Sequence, residues 1–168
     1  RRCVERGIKP VIGAINGLCY GGATVMATAM DFLIGCDQTS FRFLAVNYGR
    51  MNATWSLPGI VGCPIAKELL FSGRAVLAEE AFRIGLLNHL VRSDQVLEKA
   101  VDVAASIAKN RIHSVANIKK ILLEHSGLSL EEQIWNEVKA RKGRFKEVPV
   151  EEGFKDFLTR KGRKPRNL

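Results

Sequence analysis

The chain has 168 residues, a net charge of +9, 46% apolar residues and 7% aromatic residues. That length suits one domain with its own core, and the composition excludes a disordered or low-complexity chain. No apolar run approaches the roughly 18 residues a membrane span needs, no signal-peptide pattern is seen, and scattered cysteines without a CxxC pair exclude a disulfide scaffold.

Arg1 rather than Met opens the chain, so a fragment or a trimmed end is expected. Cys3, Cys19, Cys36 and Cys63 read as buried free thiols in a reducing compartment, which is a cytoplasmic setting or an organelle matrix. His89, His113 and His125 lie far apart and read as structural or surface residues, and no metal site is expected from them.

Pro10 to Asn16 is a short apolar run with β-branched residues, which predicts a buried strand. Gly21 and Gly22 lead into Ala23 to Met30, small and apolar almost throughout, which predicts a buried helix closed by Asp31. Phe32 to Cys36 predicts a second buried strand, Asp37-Gln38 a turn, and Thr39 to Phe43 a third strand. Asn47 to Pro58 carries Gly49, Asn52 and Pro58, an irregular stretch of the kind that often carries function. One helix is expected from Gly59 to Phe71, with Pro64 near its first turns and Ser72-Gly73 stopping it. Ala78 to Ile84 predicts a short helix ended by Gly85, and Leu86 to Val91 the last strand.

Beyond residue 92 the character becomes all-helical. Ser93 is the expected N-cap of a helix from Asp94 to Lys109, with Val96, Ala100, Val103, Ala104 and Ile107 on one stripe. Further helices are expected from His113 to Glu124, from Leu130 to Phe145 with Ser129 as cap, and from Val150 to Arg160. The organisation is therefore α/β over residues 1–92, followed by a helical region over 93–168. Lys139, Arg141, Lys142, Arg144 and Lys146, then Arg160, Lys161, Arg163, Lys164 and Arg166, hold much of the positive charge. A solvated helix face with a frayed tail accounts for that cluster. Contact with a phosphate-bearing ligand, a nucleic acid or an acidic partner is the alternative, but no aromatic interleaving accompanies the charge.

The segment from Asn16 to Ala23 carries the most chemical information. A strand passes through glycines directly into a helix, whose first N–H groups lack intrahelical acceptors. Such groups, aided by the helix dipole, suit an anion or a developing oxyanion. A tight-packing turn without a ligand would give the same sequence.

Lys9-Pro-Val-Ile-Gly-Ala-Ile-Asn-Gly17, Gly21-Gly22, Asp31 and Phe41 together resemble the central signature of the crotonase (enoyl-CoA hydratase/isomerase) superfamily. The resemblance continues through Glu79 to Val91 and ends with Glu152-Gly-Phe-Lys-Asp-Phe157 before a Lys/Arg-rich end. It implies a partial ββα spiral followed by a C-terminal helical trimerisation region. It implies an acyl-CoA thioester as substrate, with coenzyme A entering as part of that substrate and no bound cofactor. It implies an oxyanion hole of two backbone N–H groups, with Gly22 matching the second donor and the first supplied by an earlier loop. Leu18, Tyr20, Gly21, Trp55 and Phe157 are the implied substrate-binding residues, although Trp55 also reads as a core residue. A homotrimer or hexamer is implied as the assembly.

Two departures bear on the reaction. The family's hydratases carry a Glu three residues after the donor glycine and a second a few residues after the position Phe41 matches. Val25 and Ala45 stand at those places here. Hydration needs an acid and a base about a water molecule, and neither side chain is one. An isomerase, decarboxylase or hydrolase is therefore expected ahead of a hydratase, its acid or base unidentified among Tyr20, Asp37, Tyr48 and Arg50, with Asn47 and Asn52 as hydrogen-bonding groups. The alternatives are a non-catalytic acyl-CoA-binding or scaffold homologue and a nucleic-acid-associated role of the basic tail.

Overall fold

In the computed structural model, which describes residues 7–145 and 148–153, the first four strands alternate between two sheets. Strand β1 (Ile12–Ile15) pairs in parallel with β3 (Phe32–Cys36), and β3 in parallel with β6 (His89–Val91). Strand β2 (Leu18–Tyr20) pairs in parallel with β4 (Ser40–Arg42), whose other edge takes β5 (Ala75–Leu77) antiparallel. Helix α1 (Gly22–Ala27) follows β2, so strand, strand and helix repeat as the chain winds between the sheets. This is the ββα spiral, in part.

Strand β3 is the central strand of its sheet and is buried over its last four residues, as an apolar run covered on both faces should be. The main core gathers Phe41, Phe43, Leu57, Leu69, Val76, Leu86 and Leu87, each at most 1% exposed. A second cluster joins Ile34 and Cys36 of β3 to Val96 and Ala100 of helix α5 (Val96–Ala108).

Several elements depart from expectation. The helix expected from Gly59 to Phe71 is two, α2 (Leu57–Val61) and α3 (Cys63–Ser72), broken where Gly62 takes a φ of 80°. Helix α1 ends at Ala27, short of Met30, and only Thr24 and Ala27 in it are buried. Ser93 does not cap α5: it begins a 3₁₀ turn, Ser93–Gln95, without a side-chain cap. Cys19 and Cys36 are buried as expected, but Cys63 is exposed at the start of α3. Helix α4 (Ala78–Arg83) and helix α6 (Ile112–Glu124) lie close to their expected places.

The chain divides into two compact units, residues up to 124 and residues from 125 on. Helix α5 belongs with the sheets because its apolar stripe lies on β1 and β3, so the units part later than the change in sequence character at residue 92. In the second unit, helix α7 (Leu130–Arg144) opens with a capping box between Ser129 and Glu132. Glu131 and Glu132 sit in its first turn and Arg141, Lys142 and Arg144 in its last, which complements the helix dipole. Helix α8 (Val150–Gly153) follows. Leu130, Ile134 and Val138 share a face of α7 and are 72%, 55% and 39% exposed. No helix among the described residues is long and apolar enough to cross a membrane.

Ion pairs centred on Lys119 and on Arg74 fasten the first unit. Lys119 of α6, 8% exposed, reaches Asp31 Oδ2 at 2.7 Å and the Lys9 carbonyl at 3.1 Å. The same Asp31 oxygen accepts the Val11 N–H at 2.6 Å, so one carboxylate ties β1, β3 and α6 together. Arg74 grips Glu80 through two bonds of 2.8 and 2.6 Å and Glu68 through a third of 2.8 Å. The Arg74 guanidinium holds the Glu80 carboxyl below its ordinary value. Because the folded state lowers that value, the pair stabilises the fold above about pH 4.5 and its contribution is lost as pH falls through the lowered value. Acidification below that range is therefore expected to lower the melting temperature, and Glu80→Gln to remove about 1 kcal/mol of this dependence. Thermal melts at pH 6 and pH 3 check this; equal pH dependence in parent and variant would contradict it.

Candidate functional site

Strand β2 ends at Tyr20, and Gly21 then takes φ 57° and ψ −116°, a conformation that a residue with a Cβ rarely adopts. That turn starts α1 at once. The Gly21 N–H is spent on the Arg42 carbonyl at 3.0 Å, and the Thr24 N–H bonds the Gly21 carbonyl at 3.2 Å. Gly22 and Ala23 follow as first-turn positions, where N–H groups have no intrahelical acceptor. Both residues are exposed. A Cβ added at Gly22 would meet nothing within 4 Å, so packing does not demand glycine there and open space adjoins the backbone.

A cleft of about 390 Å³ runs beside this turn, lined from Ala14 to Cys19 on the strand side and by Ala23, Met26, Ala27 and Met30 on the helix side. Its walls are apolar except at Asn16. Cys19 holds its only titratable side chain, and burial pushes that thiol up to about 11, which leaves it protonated and poorly nucleophilic at neutral pH. The cleft therefore offers backbone donors and apolar surface, with no acid or base among its lining residues.

Gly21 and Gly22 form the turn that follows β2, and Leu18, 73% exposed at the start of that strand, lines the cleft. Tyr20 does not line it; its hydroxyl lies 3.2 Å from Ser40 Oγ. Trp55, 40% exposed, lies on the irregular segment, which reaches α1 through Ser56. Ser56 Oγ donates to Thr28 Oγ1 at 2.8 Å, and Thr28 donates to the Val25 carbonyl at 3.4 Å. Phe157 lies outside the described residues. Tyr48 is 73% exposed, and Asp37, Asn47 and Arg50 are exposed as well.

Two features of the irregular segment have no counterpart in the sequence reading. Ala53 has a φ of 53°, unique among the described non-glycine residues, and is 1% exposed. An alanine there costs about 1 kcal/mol. Next to it, Asn52 Oδ1 is buried without a hydrogen-bond partner, a further cost of about 1–3 kcal/mol. Buried polar atoms and backbone strain are visible only in three dimensions; the asparagine itself was the one signal.

Among the described residues no group of three or more His, Cys, Asp or Glu side chains is arranged to hold a metal ion. The sequence profile of the family described as Enoyl-CoA hydratase/isomerase matches residues 2–165. A protein named Carnitinyl-CoA dehydratase from Proteus mirabilis is 35% identical over 127 residues, 74% of this chain and 49% of that protein. One named Crotonyl-CoA hydratase from Syntrophomonas wolfei is 37% identical over 109 residues, 63% of this chain and 42% of the relative. The crystal structure of Enoyl-CoA Hydratase from Bacillus anthracis superposes with a TM-score of 0.86 at 31% identity, covering 94% of this chain and 62% of that one. The chain spans about half the length of the curated relatives it matches.

Proposed function

The chain belongs to the enoyl-CoA hydratase/isomerase family, and from that premise we propose that it handles an acyl-CoA thioester at the Gly22 turn. The observation that carries the proposal is the exposed first turn of α1, set by the left-handed Gly21, beside an apolar cleft lined by Leu18, Met26 and Met30. In this reading the Gly22 N–H donates to the thioester oxygen and stabilises the negative charge that gathers there in an enolate-like intermediate. Its favourable term is electrostatic: a fixed donor, aided by the helix terminus, strengthens as the carbonyl gains charge. Val25 and Ala45 leave hydration by a carboxylate pair without its acid and base. The reactions that remain are isomerisation, decarboxylation or hydrolysis of the thioester.

The same two residues favour a second reading, a homologue that binds acyl-CoA without turning it over. The basic residues of α7 have a structural role at the helix C-terminus, which weighs against a dedicated nucleic-acid surface. A homotrimer or hexamer, in the cytoplasm or an organelle matrix, completes the proposal; the exposed stripe of Leu130, Ile134 and Val138 supports association.

The two readings separate on turnover. The chain is incubated with a 3-enoyl, a malonyl-type and a saturated acyl-CoA, and the products are followed by mass spectrometry. A shifted double bond, loss of carbon dioxide or release of free coenzyme A is the result expected of the enzyme. Binding of all three thioesters with no chemical change would overturn it in favour of the binding homologue.

A further inference from the structure

We infer that Thr24 is the positioning residue of the thioester site, acting through the Gly22 N–H that it orients from behind. The inference rests on the thioester reading above. A peptide unit is planar and trans, so whatever fixes its oxygen also fixes its N–H, which points the opposite way. In the unit between Gly21 and Gly22 those atoms are the Gly21 carbonyl oxygen and the Gly22 N–H. Glycine stands on both sides of it, with Gly21 at φ 57° and ψ −116°, so no Cβ opposes rotation of the plane. The sheet holds the turn only at its entry, where the Gly21 N–H donates to the Arg42 carbonyl at 3.0 Å. The next unit needs its own lock.

Thr24 supplies that lock with two donors. Its hydroxyl donates to the Gly21 oxygen at 2.6 Å and its N–H to the same oxygen at 3.2 Å. The first is a short O–H···O bond and the second lies at the long end for N–H···O, so the side chain carries most of the hold. Thr24 is 0% exposed, and its β-branched side chain has few rotamers to choose from. Helical threonines commonly bond a carbonyl three or four residues back. Here that carbonyl shares its peptide plane with the N–H of the exposed Gly22. Two donors on the oxygen draw electron density from the amide nitrogen, which makes the N–H at the other end a stronger donor. Thr24 itself touches no ligand in this reading: it is buried behind the turn, while Ala23 and Met26 of the same helix line the cleft.

The test uses the full chain and two ligands titrated calorimetrically, acetyl-CoA and S-ethyl-CoA, a thioether with a methylene in place of the carbonyl. The parent is expected to bind acetyl-CoA about tenfold more tightly than the thioether. Thr24→Val keeps the branched shape and loses the hydroxyl. It is expected to lower that ratio about threefold by weakening acetyl-CoA alone. It should also move the infrared carbonyl stretch of bound, isotope-labelled acetyl-CoA back towards its value in water. Thr24→Ser retains the hydroxyl and should retain both the ratio and the stretch. Thr24→Ala gives the same reading should the valine variant fail to fold. An unchanged ratio and stretch in the folded valine variant overturn this inference and leave the thioester reading standing. An equal loss of affinity for both ligands does the same, because Thr24 then only supports the helix. A folded parent that binds neither ligand, or both alike, overturns the thioester reading and this inference with it.

Discussion

Gly22→Pro is expected to weaken acetyl-CoA binding at least tenfold and, for a thioester that turns over, to lower kcat by roughly 10²–10³. The substitution removes one N–H and little else. Gly22 is the first residue of α1, where proline is tolerated because the position's N–H bonds nothing within the helix. The ring occupies the side on which a Cβ would meet no atom within 4 Å. Stability should therefore stay within about 0.5 kcal/mol of the parent. Gly22→Ala is the control: it keeps the N–H and should keep the affinity. Calorimetry and a thermal melt on the three proteins decide. Equal affinity in the proline variant would remove Gly22 from the site, whatever the rest of the cleft binds.

The largest loss of stability is expected at Lys119. Its ammonium is buried to 8% exposure against Asp31 and the Lys9 carbonyl, and Lys119→Met strands that carboxylate beside the Val11 N–H. Breaking a buried pair from one side costs about 3–5 kcal/mol. Asp31 is itself 25% exposed, so the lower part of that range, about 3 kcal/mol, is expected. Asp31→Asn should cost less, because the amide oxygen still accepts the Val11 N–H, while the double variant should regain part of the loss of Lys119→Met. Urea denaturation of the three variants tests this. A Lys119→Met protein as stable as the parent would show that the pin contributes nothing.

The same residues show how far the sequence could be read. Phe32 to Cys36 lies between two aspartates as one apolar run, and the strand occupies those five residues. Ser129 was legible as the cap of the helix that begins at Leu130, and the structure forms that cap, with Glu132 completing a capping box. Leu18 to Tyr20 and Ala75 to Leu77 were not legible as strands, because three residues give no period to recognise. Ala23 to Met30 reads as a buried helix from composition alone, but burial depends on what lies across from it, and here an open cleft does. Gly62 looks like any helix-tolerated glycine until its φ of 80° divides the helix. At the site, the glycines and the absence of carboxylates at positions 25 and 45 were legible as residue types. The left-handed Ala53 and the unpaired Asn52 oxygen were not, since both arise from tertiary packing that overrides local preference.

The most direct test of the thioester reading is a calorimetric titration of the chain with acetyl-CoA and with free coenzyme A, repeated at higher salt. In the proposed reading the Gly22 turn takes the thioester carbonyl and the apolar cleft its acyl group, so micromolar binding that prefers acetyl-CoA and survives added salt is the expected result. Binding that is equal for the two ligands and vanishes with salt would reduce the interaction to phosphate and basic side chains. No binding by a chain shown to be folded would contradict the reading outright.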